Sequence, residues 1–391
     1  MSVPEWLYYR LLKHGGNVPF HQYMNWVLHD PIHGAYGNGS LDIGIHGDFV
    51  TSPSLDINFA HLIIVQVEQW LASIGDGPLS IIETGPGEGH LALQLAKILY
   101  TNCPPLRNRI EIILVEPNRG MNRHQSSYLT EVPLPLSWIS FEELIQNPLQ
   151  GIVISHEVLD ALAIERIVYS QSYWYRQRVA LSLNNTSAMK IILMRGEFWN
   201  QNKPNLKSLG VNTLITNYQN GWCTELHTEL NGWLDICKQG ISKGYLLVID
   251  YLIEAYRYYN IQRSQGTIMS YGKQIAQSDP LKNPGKLDIT AHICFETLLG
   301  AAANCGWSFT GQIRQGEALL ALGLAQKYYA LHSDKKKNIT TTLASRETLL
   351  RLVNPLMLGD FRWVAFSHET ATAQPLFLAE PGKQSVERTW Q

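Results

Sequence analysis

The spacing of apolar positions changes along the chain, and each change marks a change of element. Over the first 75 residues the spacing is helical. Phe20 to Leu28 repeats every three to four positions, and Phe59, Leu62, Ile63, Val65, Val67 and Trp70 outline a helix that starts near Ser54 or Asp56 and runs to about Ile74. Between them, His33 to Phe49 contains Gly34, Gly37, Gly39, Gly44 and Gly47, too many for a regular element. From residue 76 short apolar runs alternate with helical periods. Leu79 to Glu83, Ile110 to Glu116, Gly151 to Ser155 and Tyr245 to Asp250 are nearly continuous in apolar residues, which predicts a parallel sheet covered on both faces.

One interval does not fit a simple crossover. Ile167 to Leu183 and Met189 to Phe198 alternate as antiparallel strands do, so a β-rich insertion is expected over about 163–220, followed by a helix from about Trp222 to Lys238. After Asp250 the pattern predicts a polar loop, a helix at Ala291 to Cys305, a strand at Trp307 to Arg314, a helix from Glu317 to about Leu331, one more helix, and a closing strand at Phe361 to Phe366. The chain reads as an α/β protein in three parts. These are a helical and lid region at 1–75, a core at 76–370 whose Rossmann-like sheet is mostly parallel with an antiparallel C-terminal strand, and a loosely ordered tail at 371–391.

Composition narrows the possible partners. Hydrophobic residues make up 45% of the 391 positions, enough for a large core, while only 16% are charged, against about 25% in ordinary soluble proteins. The net charge of -2 and the short Lys335 to Lys337 cluster leave no basic stripe for nucleic acid. The five cysteines form no CxxC pair, so reduced thiols and no metal site are expected. No apolar run approaches the roughly 18 residues of a membrane span. The N-terminus carries charges where a signal peptide needs an apolar centre, which makes a cytoplasmic location the expectation. The oligomeric state is not legible.

The chemistry concentrates at strand ends. In SIIETGPGEGHLALQLAKIL a strand ends at Glu83, and Gly85, Gly87 and Gly89 follow at alternate positions before a helix opens. Gly85 allows the tight turn, and Gly87 lets backbone approach a ligand without an intervening Cβ. A Walker loop is excluded because no Gly-Lys-Ser/Thr follows. The dinucleotide GxGxxG fails too, because the third glycine comes one residue early and His90 takes its place. GxGxG instead resembles motif I of the class I methyltransferases, which implies S-adenosylmethionine as ligand with Glu83 reaching its ammonium group, while Glu116, at the next strand end, can accept from ribose hydroxyls. His156, Glu157 and Asp160 sit at the carboxyl end of a third strand, which faces the ligand crevice in open α/β sheets.

Several stretches together carry a family resemblance. GDFVTSP (Gly47 to Pro53), ETGPGEG (Glu83 to Gly89), HEVLDAL (His156 to Leu162), VIDY (Val248 to Tyr251), GTIMSY (Gly266 to Tyr271), DITAH (Asp288 to His292) and RQGEALLALGL (Arg314 to Leu324) resemble the MidA-like methyltransferases, in order and over nearly the whole chain. The resemblance implies a class I methyltransferase fold, S-adenosylmethionine as cofactor with Thr51, Ser52 and Pro53 beside it, and methylation of a protein arginine. By similarity the protein partner is a subunit of a complex I-like NADH/quinone oxidoreductase under assembly. On that reading Glu157 and Asp160 clamp a guanidinium, with Asp48 on the lid as a third carboxylate. His156 either assists proton removal or is structural, and His292 stabilises a turn. The chain departs from the family pattern at His156, Leu252, Met269 and Ala318. Two other readings stay open at this point: a non-catalytic assembly platform, and a small-molecule methyltransferase.

Overall fold

The computed structural model describes residues 3–183, 189–199, 218–333, 339–370 and 374–381. The lysine cluster, part of the insertion and most of the tail lie outside the described residues.

In chain order the strands used below are β1 (Asn17–Pro19), β2 (Leu79–Thr84), β3 (Ile110–Val115), β4 (Leu136–Ile139), β5 (Leu149–His156), β6 (Glu165–Ser170), β7 (Tyr173–Leu183), β8 (Met189–Phe198), β9 (Cys223–Leu226), β10 (Ile241–Asp250), β11 (Met269–Gly272), β12 (Ile275–Gln277), β13 (Asp288–Thr290), β14 (Ser308–Arg314) and β15 (Arg362–His368). The helices used below are α1 (Glu5–Lys13), α2 (Phe20–His29), α3 (Asn58–Ile74), α4 (His90–Asn102), α5 (Arg119–Tyr128), α6 (Leu230–Gln239) and α7 (Phe295–Asn304).

The central sheet has seven strands in the order β14-β15-β10-β5-β2-β3-β4. The pairs β2–β3, β3–β4, β2–β5 and β5–β10 are parallel, while β15 is antiparallel to both β10 and β14. Only β15 therefore runs against the rest. The isoleucine, leucine and valine runs of β2, β3, β5 and β10 are buried on both faces. One face packs on α3 and α4 through residues such as Phe59, Val67, Leu91 and Leu95. The other packs on α6 and α7 through Trp233, Leu234 and Leu298. Strand order reverses between β2 and β5, which opens a crevice at their carboxyl ends. Register sets Thr84 opposite Val115 and Ser155, and Ile249 opposite His156, so the candidate residues all arrive at one edge.

The N-terminal helices and the insertion form one packing unit over that edge. β1 pairs with β7, bringing Asn17 opposite Ala180, in a sheet that also contains β6, β8 and β9. The apolar side of α1 and α2, including Leu7, Phe20, Met24 and Val27, shares a core with Ile164, Val179 and Ile289. None of the described helices is long and apolar enough to cross a membrane.

Several elements differ from the sequence pattern. Cys223–Leu226 is strand β9 rather than the start of a helix, because Cys223 and Leu226 pair across to Val168 and Glu165 and Trp222 packs against Trp174 and Tyr218. Tertiary pairing outweighs helical periodicity there. β4 is a half-exposed edge strand of four residues, too short for a clear pattern. Gly323, at φ 100°, breaks the helix expected over 317–331 into Gln315–Ala321 and Leu324–Ser333. Part of the expected loose tail is docked, with Phe377 buried edge-on to Trp70 and Trp363.

The lid is fastened where glycine meets glycine. The Gly120 amide of α5 donates to Gly37 O at 2.9 Å, and a Cβ on Gly120 would come within 2.0 Å of Gly39 N. Gly120→Ala is expected to destabilise the fold by about 1–3 kcal/mol through overpacking against backbone. It should also loosen the lid, which a lower melting temperature together with faster amide exchange over residues 37–49 would register. Unchanged protection there would show that the lid is held by other contacts.

Candidate active site

The glycine loop is confined on two sides. Gly85, Gly87 and Gly89 adopt φ of 57°, 56° and 89°, backbone that L side chains rarely take. A Cβ on Gly85 would lie 2.9 Å from Val158 Cγ2, and one on Gly87 would lie 2.8 Å from Ile43 Cδ1. The loop is thus pressed between the turn that carries Glu157 and the lid. Around it is a cavity of about 990 Å³ whose walls include Glu83, Gly85, Gly87, Glu116, Thr51 and Pro53 on one side and His156 and Glu157 on the other. Gly89 is not in the wall. It caps α4 against Leu129. The Ile43 amide donates to Glu88 Oε1 at 2.9 Å, which fastens the lid to the glycine loop.

Two carboxyl groups belong to the nucleoside side of the cavity. Glu83 is buried at the end of β2, and its Oε2 has no hydrogen-bond partner. Burial raises its pKa to about 8 despite a backbone hydrogen bond from Ala92. Burial likewise raises Glu116 to about 7, offset in part by hydrogen bonds from Asn118 and Gln125. Glu116 Oε1 accepts the Asn118 amide at 2.7 Å, and Oε2 accepts Gln125 Nε2 at 3.1 Å. Trp138 Nε1 donates to Gln125 Oε1 at 2.9 Å and so holds that amide in place. His29, from the N-terminal helix α2, reaches the same wall, with Nδ1 3.1 Å from Asn118 Oδ1.

The opposite side is a cluster of acids. Glu157 adopts φ 54°, a left-handed backbone that costs a glutamate on the order of 1–3 kcal/mol and turns the chain sharply off β5. Asp250 holds that turn: its Oδ2 accepts the Leu159 amide at 2.9 Å and the Val158 amide at 3.2 Å, and its Oδ1 accepts the Tyr251 amide at 2.8 Å. Burial pushes Asp250 up to about 6, and these amides limit the rise. Glu157 and Asp160 are raised well above the ordinary range, first by burial and then by the charges of Asp250 and Asp288. Asp288 is raised to about 7 by burial, and Tyr36 hydrogen-bonds to its carboxyl group. Burial first, and then the charges of Glu157 and Asp160, raise the Tyr251 and Tyr271 hydroxyls above the ordinary phenol value.

The placements of the expected residues divide. Glu83, Glu116, Gly85, Gly87, Thr51, Pro53, His156 and Glu157 line the cavity, and Asp160 lies buried behind Glu157. Ser52 faces away and accepts Gln315 Nε2 at 3.0 Å. Asp48 is outside the cavity. Its Oδ1 accepts the Lys273 amide at 2.9 Å and its Oδ2 the Asp42 amide at 3.1 Å, so its carboxylate shapes a loop, while its charge still reaches Asp288. His156 is wedged between Phe59 and Phe361, with Nδ1 3.3 Å from Glu157 Oε1. Burial lowers its pKa to about 3, so it stays neutral. His292 stacks on Tyr251, and its carbonyl faces His227 Nε2 at 2.8 Å. Sequence reasoning missed His29, Tyr36, Asp250 and Asp288 as members of the site. VIDY and DITAH were visible as motifs, but nothing in them said that their acids meet.

Residues 62–313 match the family of S-adenosyl-L-methionine-dependent methyltransferases. The chain belongs to this family. Among individual relatives, the Xenopus tropicalis protein named "Protein arginine methyltransferase NDUFAF7, mitochondrial" is 25% identical over 388 residues, covering 89% of this chain and 81% of that protein. The Drosophila melanogaster homolog of the same name is 25% identical over 341 residues, covering 79% of this chain and 74% of its own. A Burkholderia thailandensis crystal structure bound to S-adenosyl-homocysteine superposes with a TM-score of 0.80 at 24% identity, over 97% of this chain and 95% of that one. The last likeness shows a shared fold.

The methyltransferase's own residues fit the cofactor. The unpartnered Glu83 oxygen offers an acceptor for an ammonium group, Glu116 offers one for hydroxyls, and Gly87 leaves free the space that a side chain would fill. Each carboxyl has a raised pKa, and a bound cation favours its ionised form. Affinity for S-adenosylmethionine is therefore expected to rise as pH increases from about 6 toward the Glu83 value of about 8, and to fall again where the ligand's own α-ammonium group loses its proton. Glu83→Gln should weaken binding and flatten most of that slope. Calorimetry in buffers of different ionisation enthalpy would read both the affinity and the proton released, and an affinity independent of pH would contradict the assignment.

Proposed function

We propose that this methyltransferase acts on an arginine side chain of a protein. The observation that carries this reading is the acid cluster. Glu157, Asp160, Asp250 and Asp288 converge beside the cofactor cavity, and among the described residues none of them pairs with a lysine or arginine. Uncompensated carboxyl groups in a buried pocket are costly unless an incoming cation completes them. A guanidinium is planar, always charged and held well by paired carboxylates. The arginine methyltransferase name carried by the relatives supports the same class. The resemblance to the MidA-like enzymes extends the proposal to a subunit of a complex I-like NADH/quinone oxidoreductase as the protein acceptor.

The mechanism follows from what these groups do to a guanidinium. When bound, S-adenosylmethionine supplies an electrophilic methyl group on a positive sulfonium. Glu157 and Asp160 hold the guanidinium and draw its positive charge toward the nitrogens they touch, leaving the remaining nitrogen richer in electrons. Asp250 keeps the Glu157 turn in place through its bonds to the Val158 and Leu159 amides. Tyr36, Tyr251 and Phe361 shield this corner from water, which strengthens each electrostatic contact. The attacking nitrogen must also lose a proton. Glu157 and Asp160, with pKa values pushed well above the ordinary range, are suited to receive it.

Two outcomes test this reading. Glu157→Gln and Asp160→Asn are each expected to lower kcat on an arginine peptide by about 100-fold or more while leaving the dissociation constant for S-adenosylmethionine unchanged. Near-normal turnover would remove the clamp. The same substitutions bear on stability. A carboxyl whose folded pKa lies above its unfolded value favours the folded state at low pH, and this contribution is lost as pH rises from the unfolded value to the folded one. Asp160→Asn should therefore raise the melting temperature of the ligand-free protein at neutral pH and flatten its decline between acid and neutral pH. A lower melting temperature at neutral pH would show that the ionised carboxylate is stabilising.

A further inference from the structure

We infer that the acceptor polypeptide lies in a groove on the outer side of the acid pocket, and that the groove favours an arginine with acidic neighbours. The inference rests on the arginine reading above and adds a sequence preference to it.

The groove is a second concavity of about 1620 Å³, more open than the cofactor cavity. One rim is the loop that follows α2, from His33 to Asp48. The other is the β11–β12 turn at Lys273 and the stretch ending at Lys286. Each rim runs straight into the pocket. Tyr36 follows His33 by a single turn, Lys273 lies just past Tyr271, and Lys286 lies just ahead of Asp288. The segments that hold the acids and their tyrosines below are therefore the segments that wall the groove above.

The acid pocket, taken as the floor, shares no lining residue with the groove and is joined to it through Asp48, whose charge reaches Asp288. At the rim, Lys273 and Lys286 are exposed, and neither has an ion-pair partner among the described residues. The groove wall also carries Asp42 and Asp48, whose side chains are turned to other partners. The Asp48 carboxylate accepts the Lys273 and Asp42 amides, and Asp42 turns toward Glu88 and His124. The Lys273 turn is also fixed, because the Gln274 amide donates to Asp48 O at 2.7 Å. Its lysine is presented from a held backbone and not from a loose loop. A free guanidine would fill the floor and touch neither lysine. A polypeptide with its arginine in the floor passes both, and carboxylates flanking that arginine meet them.

The test measures binding of fluorescent peptides to the full chain loaded with S-adenosyl-homocysteine. The peptides carry one central arginine flanked by aspartates, alanines or lysines, and a fourth has aspartate flanks with citrulline at the centre. Two exposed ion pairs predict about three- to tenfold tighter binding of the aspartate-flanked peptide than of the alanine-flanked one, shrinking at high salt. In the double variant Lys273→Glu, Lys286→Glu the order should reverse, with the melting temperature unchanged. Equal affinity across the flanks, or a preference the double variant leaves intact, overturns the groove assignment. The citrulline peptide separates the two claims. If it binds as well as its arginine counterpart while the flank preference persists, the arginine pocket fails and the groove stands.

Discussion

Burying a carboxyl group without a cation is the constraint around which this site is organised. Glu157, Asp160, Asp250 and Asp288 meet at one corner of the sheet edge, and desolvation is the first cause of the raised pKa in each. Asp250 is the exception that makes the rest possible. Its oxygens accept backbone amides from the turn after β5 and from Tyr251, which is how a buried acid is held with ordinary hydrogen bonds. That contact fixes the left-handed Glu157, and the fixed turn in turn presses Val158 against Gly85. The acid corner and the nucleoside loop are therefore one rigid piece, held from β2, β5 and β10 at once.

The unit above the sheet has a matching role. An open α/β edge leaves its crevice exposed to water, and exposed carboxylates would ionise without selecting anything. Here α2 delivers His29 and the following loop delivers Tyr36, while β1 ties the same segment to β7 of the insertion. The insertion and the N-terminal helices are far apart in sequence, yet they share one apolar core in which Phe20 and Val27 pack with Val179 and Ile289. Their joint packing roofs the corner. Close approach of Gly39 to Gly120 and the Glu88 contact to the Ile43 amide then bring the roof down on the glycine loop.

The core sheet and the cavity-lining Glu83, Gly85, Gly87 and Glu116 were legible because their signals are local. Continuous apolar runs mark buried parallel strands, and alternate glycines beside Glu83 mark a ligand turn, with no need to know what lies opposite. Asp250 and Asp288 were visible only as parts of motifs, since their meaning depends on meeting Glu157 and Asp160 across four segments. Cys223–Leu226 was misread for a related reason: its strand exists because β6 is there to pair with it. Asp48 misled in the opposite way. Its motif marks the lid, but its carboxylate is spent on the Lys273 and Asp42 amides, a use that side-chain chemistry alone does not reveal. Ser52 likewise belongs to a motif through its bond to Gln315, so that GDFVTSP and RQGEALLALGL lean on each other there, while Thr51 and Pro53 line the cavity.

The charge balance of arginine methylation suits a pocket of this kind. On that reading the cavity first holds two fixed positive charges, a sulfonium and a guanidinium. It ends with one, on the methylated guanidinium, and one released proton. A site of permanently ionised, well-solvated carboxylates would hold both cations but would bind the product as firmly as the substrate. Acids raised by burial behave differently. They ionise when cations arrive, because Coulomb attraction in a dry pocket outweighs their desolvation, and they take up a proton once a charge is lost. A protonated Asp160 or Glu157 grips a guanidinium less strongly than a carboxylate does, so the same burial that raises those pKa values also favours release after transfer. His156 fits this scheme by staying out of it. Held neutral between Phe59 and Phe361, it adds no positive charge to a corner that must keep its acids for the substrate.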